Sequence, residues 1–350
     1  MRWKSLTPTI LVALTTNHGA TAQTVFYDML RFQCNQLVVD RIDPLVNPGL
    51  APSPHLHQIV GGNSFKPDMK PESGHDLVAN STCTSCTFSE DLSNYWTAVL
   101  YFKARNGTYR RVPQFVSEGL RGHGGITVYY IPPFDGKSKV TAFKPGFRML
   151  AGDAAADFED KRVHKLCHRC MPKSGDNSNV NCGAPDGKSL PSKPCEGGIR
   201  SVITFPTCWD GKNVDSPDHK SHVAYTATGS FDSNGNCPAS HPVALPQVML
   251  EVMWDTRIFN DPELWPEDGS QPFVWSTGDK TGYTQHGDYV FGWKGDSLQR
   301  AMDARCTGAI CSQLKLQSSE EAMRCTKAPV VEEEVDGWLD HIPGMEHLKD

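Results

Sequence analysis

Apolar and β-branched residues come along this chain in short runs, each bounded by turn residues. Residues 96–102, 125–131, 198–205, 243–254 and 272–275 form such runs, and each predicts a strand. Thirty glycines and twenty-five prolines between and around them fit many short strands joined by loops. One helical pattern stands out near the C-terminal end: Asp296 or Ser297 caps residues 298–305, and Gly308 ends it. The elements predict a mainly β protein, a single antiparallel β-sandwich of jelly-roll-like build with long loops and a short helix near its end.

Residues 157–194 break this rhythm. They are polar and carry four cysteines, which predicts a disulfide-stapled surface insertion within one domain spanning residues 23–325. Residues 326–350 are strongly acidic and read as a solvated tail. At the other end, Arg2 and Lys4 precede a short apolar stretch and Ala20-Thr21-Ala22, the pattern of a secretory signal over residues 1–22. Without Arg2 and Lys4 the formal charge of −6 becomes −8, with no basic patch, so neither nucleic acid nor a membrane surface is an expected partner. The chain is expected to act as a monomer.

Secretion changes the reading of the cysteines. All twelve follow the signal, and an even count in a secreted chain favours disulfides over zinc for the pairs Cys83/Cys86 and Cys167/Cys170. Connectivity is not readable from spacing. Asn80-Ser81-Thr82 and Asn106-Gly107-Thr108 are glycosylation sequons.

Candidate chemistry is packed into three short stretches, residues 54–63, 208–222 and 278–288, which hold five of the thirteen histidines. Such Gly-, Pro- and Asp-rich loops on a rigid scaffold are common seats of function. In the first, His55 and His57 stand at i and i+2, so in an extended chain they share a face and can converge on one metal or substrate group. In the second, His219 and His222 lie among Asp210, Asp215 and Asp218, a set suited to metal ligation or to carboxylate-oriented imidazoles. In the third, Asp279, His286 and Asp288 are spaced by glycines around Tyr283. Each has a plainer reading: histidines that are solvent-facing or hydrogen-bonded, and aspartates that cap turns. Trp209, Trp96, Tyr283 and Asn63 are candidate substrate contacts, although tryptophans also fill cores. Glu251 falls in an apolar strand pattern, and Arg41-Ile42-Asp43-Pro44 reads as a local ion pair entering a turn. Nucleophile-elbow, H-E-x-x-H and P-loop motifs are absent.

Taken together, Cys34-Asn35-Gln36-Leu37 with Arg41-Ile42-Asp43-Pro44, Pro54-His55-Leu56-His57 with Gly61-Gly62-Asn63, Ser93-Asn94-Tyr95-Trp96, Gly146-Phe147-Arg148-Met149 with Ala151-Gly152-Asp153, Phe205-Pro206-Thr207-Cys208-Trp209-Asp210-Gly211, Asp218-His219-Lys220-Ser221-His222, and Gly278-Asp279 through His286-Gly287-Asp288 to Gly292-Trp293 resemble the fungal secreted proteins grouped as domain of unknown function nineteen ninety-six. The resemblance spans roughly residues 25 to 311. It implies a secreted fungal protein in a glycan-rich setting, and it brings no catalytic residues.

Three functions follow as expectations. The first is cleavage of a cell-wall or environmental polysaccharide, by hydrolysis or elimination, with Asp210 or Asp215 set against Asp279 or Asp288. The second is a divalent metal site drawn from His55, His57, His219 and His222 with an aspartate. The third is a non-catalytic wall- or glycan-binding protein.

Overall fold

The computed structural model describes residues 29–115, 124–133, 139–156, 166–174, 182–226 and 235–346, so the predicted signal over residues 1–22 lies outside them. The architecture is mainly β, as the apolar runs predict. Two five-stranded antiparallel sheets form its body. The first runs Leu30–Asn35, Gly125–Ile131, Gln247–Trp254, Ile199–Thr204, Leu166–Cys170. The second runs Val38–Asp40, His57–Gly61, Asn94–Ala98, His286–Val290, Arg148–Gly152.

Alternation along the strands decides what each face buries. Phe32, Val128, Tyr130 and Leu250 of the first sheet and Val60, Tyr95, Met149 and Tyr289 of the second share one core. The second sheet is covered on its far side too. There Ile59, Trp96 and Val290 meet Leu37, Ile42, Leu45 and Phe65 from flanking loops. A polar chain crosses the main core. The Tyr95 hydroxyl donates to Asp91 at 2.9 Å, Tyr95 and Tyr130 hydroxyls meet at 2.7 Å, and the Trp293 indole N–H donates to Tyr130 at 3.0 Å. Burial pushes the Asp91 carboxyl up to about 7.

All twelve cysteines pair: Cys34–Cys86, Cys83–Cys325, Cys167–Cys182, Cys170–Cys195, Cys208–Cys237 and Cys306–Cys311. The two C-x-x-C pairs each send their sulfurs to different partners, so neither is a zinc clasp. The expected helix forms as Ser297–Asp303 after Asp296. A second, Ser319–Arg324, carries a Ser318/Glu321 capping box. Both sequon asparagines, Asn80 and Asn106, are exposed.

Two expectations need correction. The cysteine-rich stretch is more than a surface insertion, because Leu166–Cys170 is an edge strand of the first sheet. Its Arg169 forms a buried ion pair with Asp186, which Arg200 also contacts. The acidic C-terminal segment is docked along residues 326–346 rather than a free tail, although most of its acidic side chains are exposed. Val330 and Val331 N–H groups donate to Asp40, Glu333 pairs with Arg41 at 3.0 Å, and Asp336 pairs with Arg111 at 2.7 Å. Trp338–Leu339 adds a strand beside Tyr109–Arg111, and Ile342 and Met345 are buried against Leu56 and Val99. Apolar residues spaced through the acidic run, together with the Cys83–Cys325 bond, hold it down. Arg41 therefore pairs far along the chain rather than with its neighbour Asp43.

Candidate metal centre

Two of the three histidine-bearing stretches meet on the far side of the second sheet. His57 opens the strand His57–Gly61, and His55 lies two residues earlier, on the same face. His286 opens the strand His286–Val290. One strand, Asn94–Ala98, separates them. Its Ala98 pairs with His57 and its Thr97 with Gly287, so Ala98 stands between the two histidines. Strands two places apart are about 9–10 Å from one another, a gap that two imidazoles leaning toward each other can close.

They do. The Nε2 of His286 lies 3.2 Å from Nε2 of His55 and 3.3 Å from Nε2 of His57. One donor nitrogen from each ring falls within 4.8 Å of both others. The rings are deeply buried, at 7 % exposure for His55, 0 % for His57 and 2 % for His286.

Protons are assigned by what lies behind the rings. His57 Nδ1 faces the Ile42 carbonyl at 3.1 Å, and His286 Nδ1 faces the Thr284 carbonyl at 2.8 Å. A carbonyl only accepts, so each Nδ1 carries the hydrogen. In a neutral imidazole the other nitrogen is then a bare lone pair. Burial, reinforced by the neighbouring rings, holds His55 far below the usual histidine range. It lowers His57 likewise, and it lowers His286 against the opposing pull of the Thr284 carbonyl. His57 and His286 thus point lone pairs at each other across 3.3 Å with no proton between them. A Lewis acid seated among the three nitrogens removes that repulsion. Ions bound by imidazole at about 2.0–2.1 Å in a tetrahedral set hold their nitrogens about 3.3–3.4 Å apart, which the two spacings from His286 approach. Carbonyls behind the rings are the usual orienting partners of metal-bound histidine.

Two buried carboxyls flank the cluster. Asp288 shares the face of His286 on the same strand, and its Oδ2 lies 3.9 Å from His286 Nε2. Among the described residues, neither Asp288 oxygen has a hydrogen-bond partner, although the residue is 0 % exposed. Burial, and then Asp43, push its carboxyl well above the usual range. Asp43 is also raised by burial, against hydrogen bonds to Oδ1 from the N–H groups of Leu45 and Val46. Lys220 is close enough for its charge to act on His286 and Asp288. The sequence alone read Asp43 as half of a local ion pair and did not single out Lys220. The orienting carbonyls of Ile42 and Thr284 leave no trace in side-chain chemistry.

The second stretch lies beside the centre rather than in it. The His219 carbonyl accepts from the N–H of Leu150, the cross-strand partner of Asp288. His219 Nδ1 pairs with Asp215 at 2.6 Å, the carboxylate-oriented imidazole expected of this loop. His222 spends Nε2 on the Arg148 carbonyl at 2.9 Å and Nδ1 on Ser216 at 2.8 Å, leaving no lone pair for a metal. Among the described residues, His219 and His222 do not join His55 and His57 in a ligand cluster.

The remaining candidates are tied into the framework. Asp210 accepts from the N–H groups of Lys212 and Asn213 and from the Asn213 side chain, and these bonds outweigh burial to hold its carboxyl low. Asp279 is held low in the same way by Thr281, Thr284 and Gly282. Both are turn anchors, and neither is set up as a general acid. Trp96 is buried against Phe65, and Trp209 is buried with its N–H on the Asn213 carbonyl, so neither offers a stacking face. Asn63 caps the backbone of Thr82, and Glu251 accepts from Tyr129. Tyr283 is half-buried, its hydroxyl 3.2 Å from that of Ser189.

Comparison with known proteins agrees with the sequence resemblance. The family model described as a domain of unknown function, DUF1996, matches residues 43–293, well over half of the chain, and the chain belongs to that family. The matched span includes Asp43, His55, His57, His286 and Asp288. No curated protein and no solved structure gave a significant match.

Proposed function

We propose that this DUF1996-family chain is an extracellular metalloprotein in which His55, His57 and His286 bind one divalent transition-metal ion. The observation that carries the reading is the His57–His286 contact, two ring nitrogens 3.3 Å apart in the protein interior, each on a ring whose other nitrogen faces a backbone carbonyl. Six disulfides and the absence of any helix long and apolar enough to cross a membrane among the described residues are consistent with an extracellular setting. Three neutral imidazoles suit zinc or copper, and do not suit calcium or magnesium, which take oxygen ligands.

This places any chemistry at the histidines rather than at a carboxylate pair. A glycoside hydrolase needs two free carboxyls facing one another across the bond, whereas Asp210 and Asp279 are occupied in their own turns. A polysaccharide remains the proposed partner class only as a substrate of the metal centre. Elemental analysis of the secreted protein, purified without chelator, tests the proposal. One zinc or copper ion per chain, lost in His286→Ala, supports it; a metal-free protein that takes up neither ion on dialysis refutes it.

A further inference from the structure

The three histidines leave a tetrahedral ion one position short, and the orphaned carboxylate beside them shows what fills it. Asp288 is fully buried with both oxygens unpartnered among the described residues, a costly state unless a donor or cation completes it. It is not one of the ligands as placed. Two ligands of one ion with bonds of about 2.1 Å stand at most about 4.2 Å apart. Asp288 Oδ2 is 3.9 Å from His286 Nε2 yet falls outside the group of donor atoms lying within 4.8 Å of one another. It stands one shell further out, at the distance of a group that hydrogen-bonds to a ligand of the metal.

Resting on the three-histidine reading, we infer that the centre keeps an exchangeable fourth position, occupied by water, and that Asp288 is the positioning residue that accepts a hydrogen bond from that water. A structural metal clasp closes all four positions with protein ligands, whereas a centre that works on water keeps one open. Asp288 on this account fixes where the water's lone pair points. His55, the most exposed of the three rings, marks the side from which a ligand enters. The class of chemistry this arrangement serves is metal-assisted hydrolysis or hydration.

Full-length protein loaded with cobalt(II) and titrated with azide tests this by visible absorption. The wild type is expected to bind one cobalt, and azide is expected to shift its bands with saturation at one azide per cobalt. Asp288→Asn is expected to keep the cobalt and to change azide affinity several-fold, since the carboxyl oxygen that positions the fourth ligand is gone. A wild-type spectrum unmoved by azide overturns the inference without any variant. Loss of cobalt affinity by about a thousandfold in Asp288→Asn makes Asp288 a ligand and overturns it as well, as does equal azide affinity in the two proteins. A wild type that takes up no cobalt refutes the three-histidine reading itself, and the inference with it. Asp288→Ser serves as the second variant if the asparagine form does not fold.

Discussion

Truncating His55 to alanine separates metal binding from folding more cleanly than any other change at the centre. His55 is the least buried of the three rings, and the one hydrogen-bond-distance partner of its ring among the described residues is the His286 ring. The folded protein without metal loses that contact and the packing of the ring, a cost that comparison with the variant's own chelated form cancels. What the centre loses is one of three donors. An ion present at a thousand times its dissociation constant stabilises the native state by about 4 kcal/mol. For a domain of this size, about 2 °C of melting temperature accompanies each kcal/mol, so zinc is expected to raise the wild-type midpoint by about 8 °C over the chelated protein. A thousandfold loss of affinity shrinks that increment in His55→Ala to under about 1 °C. The assay is thermal unfolding followed by tryptophan fluorescence, each protein compared with its own chelator-treated form. Equal midpoints for wild type with zinc and with chelator would refute the reasoning. So would a His55→Ala protein that keeps the full increment.

Four further outcomes are expected. Ala98→Leu enlarges the residue paired with His57 on the strand between the two histidines and is expected to weaken zinc binding in calorimetric titration, with an overpacking cost of about 1–3 kcal/mol; unchanged zinc affinity would show that the middle strand does not set the ring spacing. His219→Ala and His222→Ala keep one metal per chain in elemental analysis, and loss of the ion in either would move the centre toward the second loop. Asp91, raised to about 7 when folded, contributes stability that is complete below its unfolded pKa of about 4 and is lost as pH rises to 7. Urea unfolding of Asp91→Asn should therefore gain on the wild type by about 1.4 kcal/mol per pH unit between pH 4.5 and 6.5, then level off, and a constant difference contradicts the assignment. Removing Cys83–Cys325, whose cysteines are 242 residues apart, should lower stability by about 2–5 kcal/mol in denaturant unfolding and free the acidic segment to proteolysis.

The parts of this protein that follow a period of two were legible in its sequence. Strands 125–131 and 199–204 stand where the apolar runs place them, and the shared face of His55 and His57 follows from the same alternation. The continuous run at 96–102 divides at Val99 into Asn94–Ala98 and Leu100–Lys103, because those two segments belong to different sheets. What alternation cannot supply is which distant strands become neighbours. His286 reaches His57 only because Asn94–Ala98 pairs on both sides, a contact between positions 229 residues apart. The second loop, richer in histidine and aspartate, was the more attractive site on composition. Its aspartates proved to be committed to backbone N–H groups one to three residues on, the Asx-turn reading that Asp-Gly-Lys-Asn and Ser-Pro-Asp-His already allowed. Tryptophans beside polar residues looked like sugar platforms, but a ring that size between two covered faces of a sheet is core.

The most direct test of the central claim is X-ray absorption at the zinc edge of the zinc-loaded, full-length protein. The expected result is a first shell of nitrogen and oxygen near 2.0–2.1 Å, with outer-shell scattering from three imidazoles and no sulfur. A spectrum of hydrated zinc with no imidazole signature would contradict it.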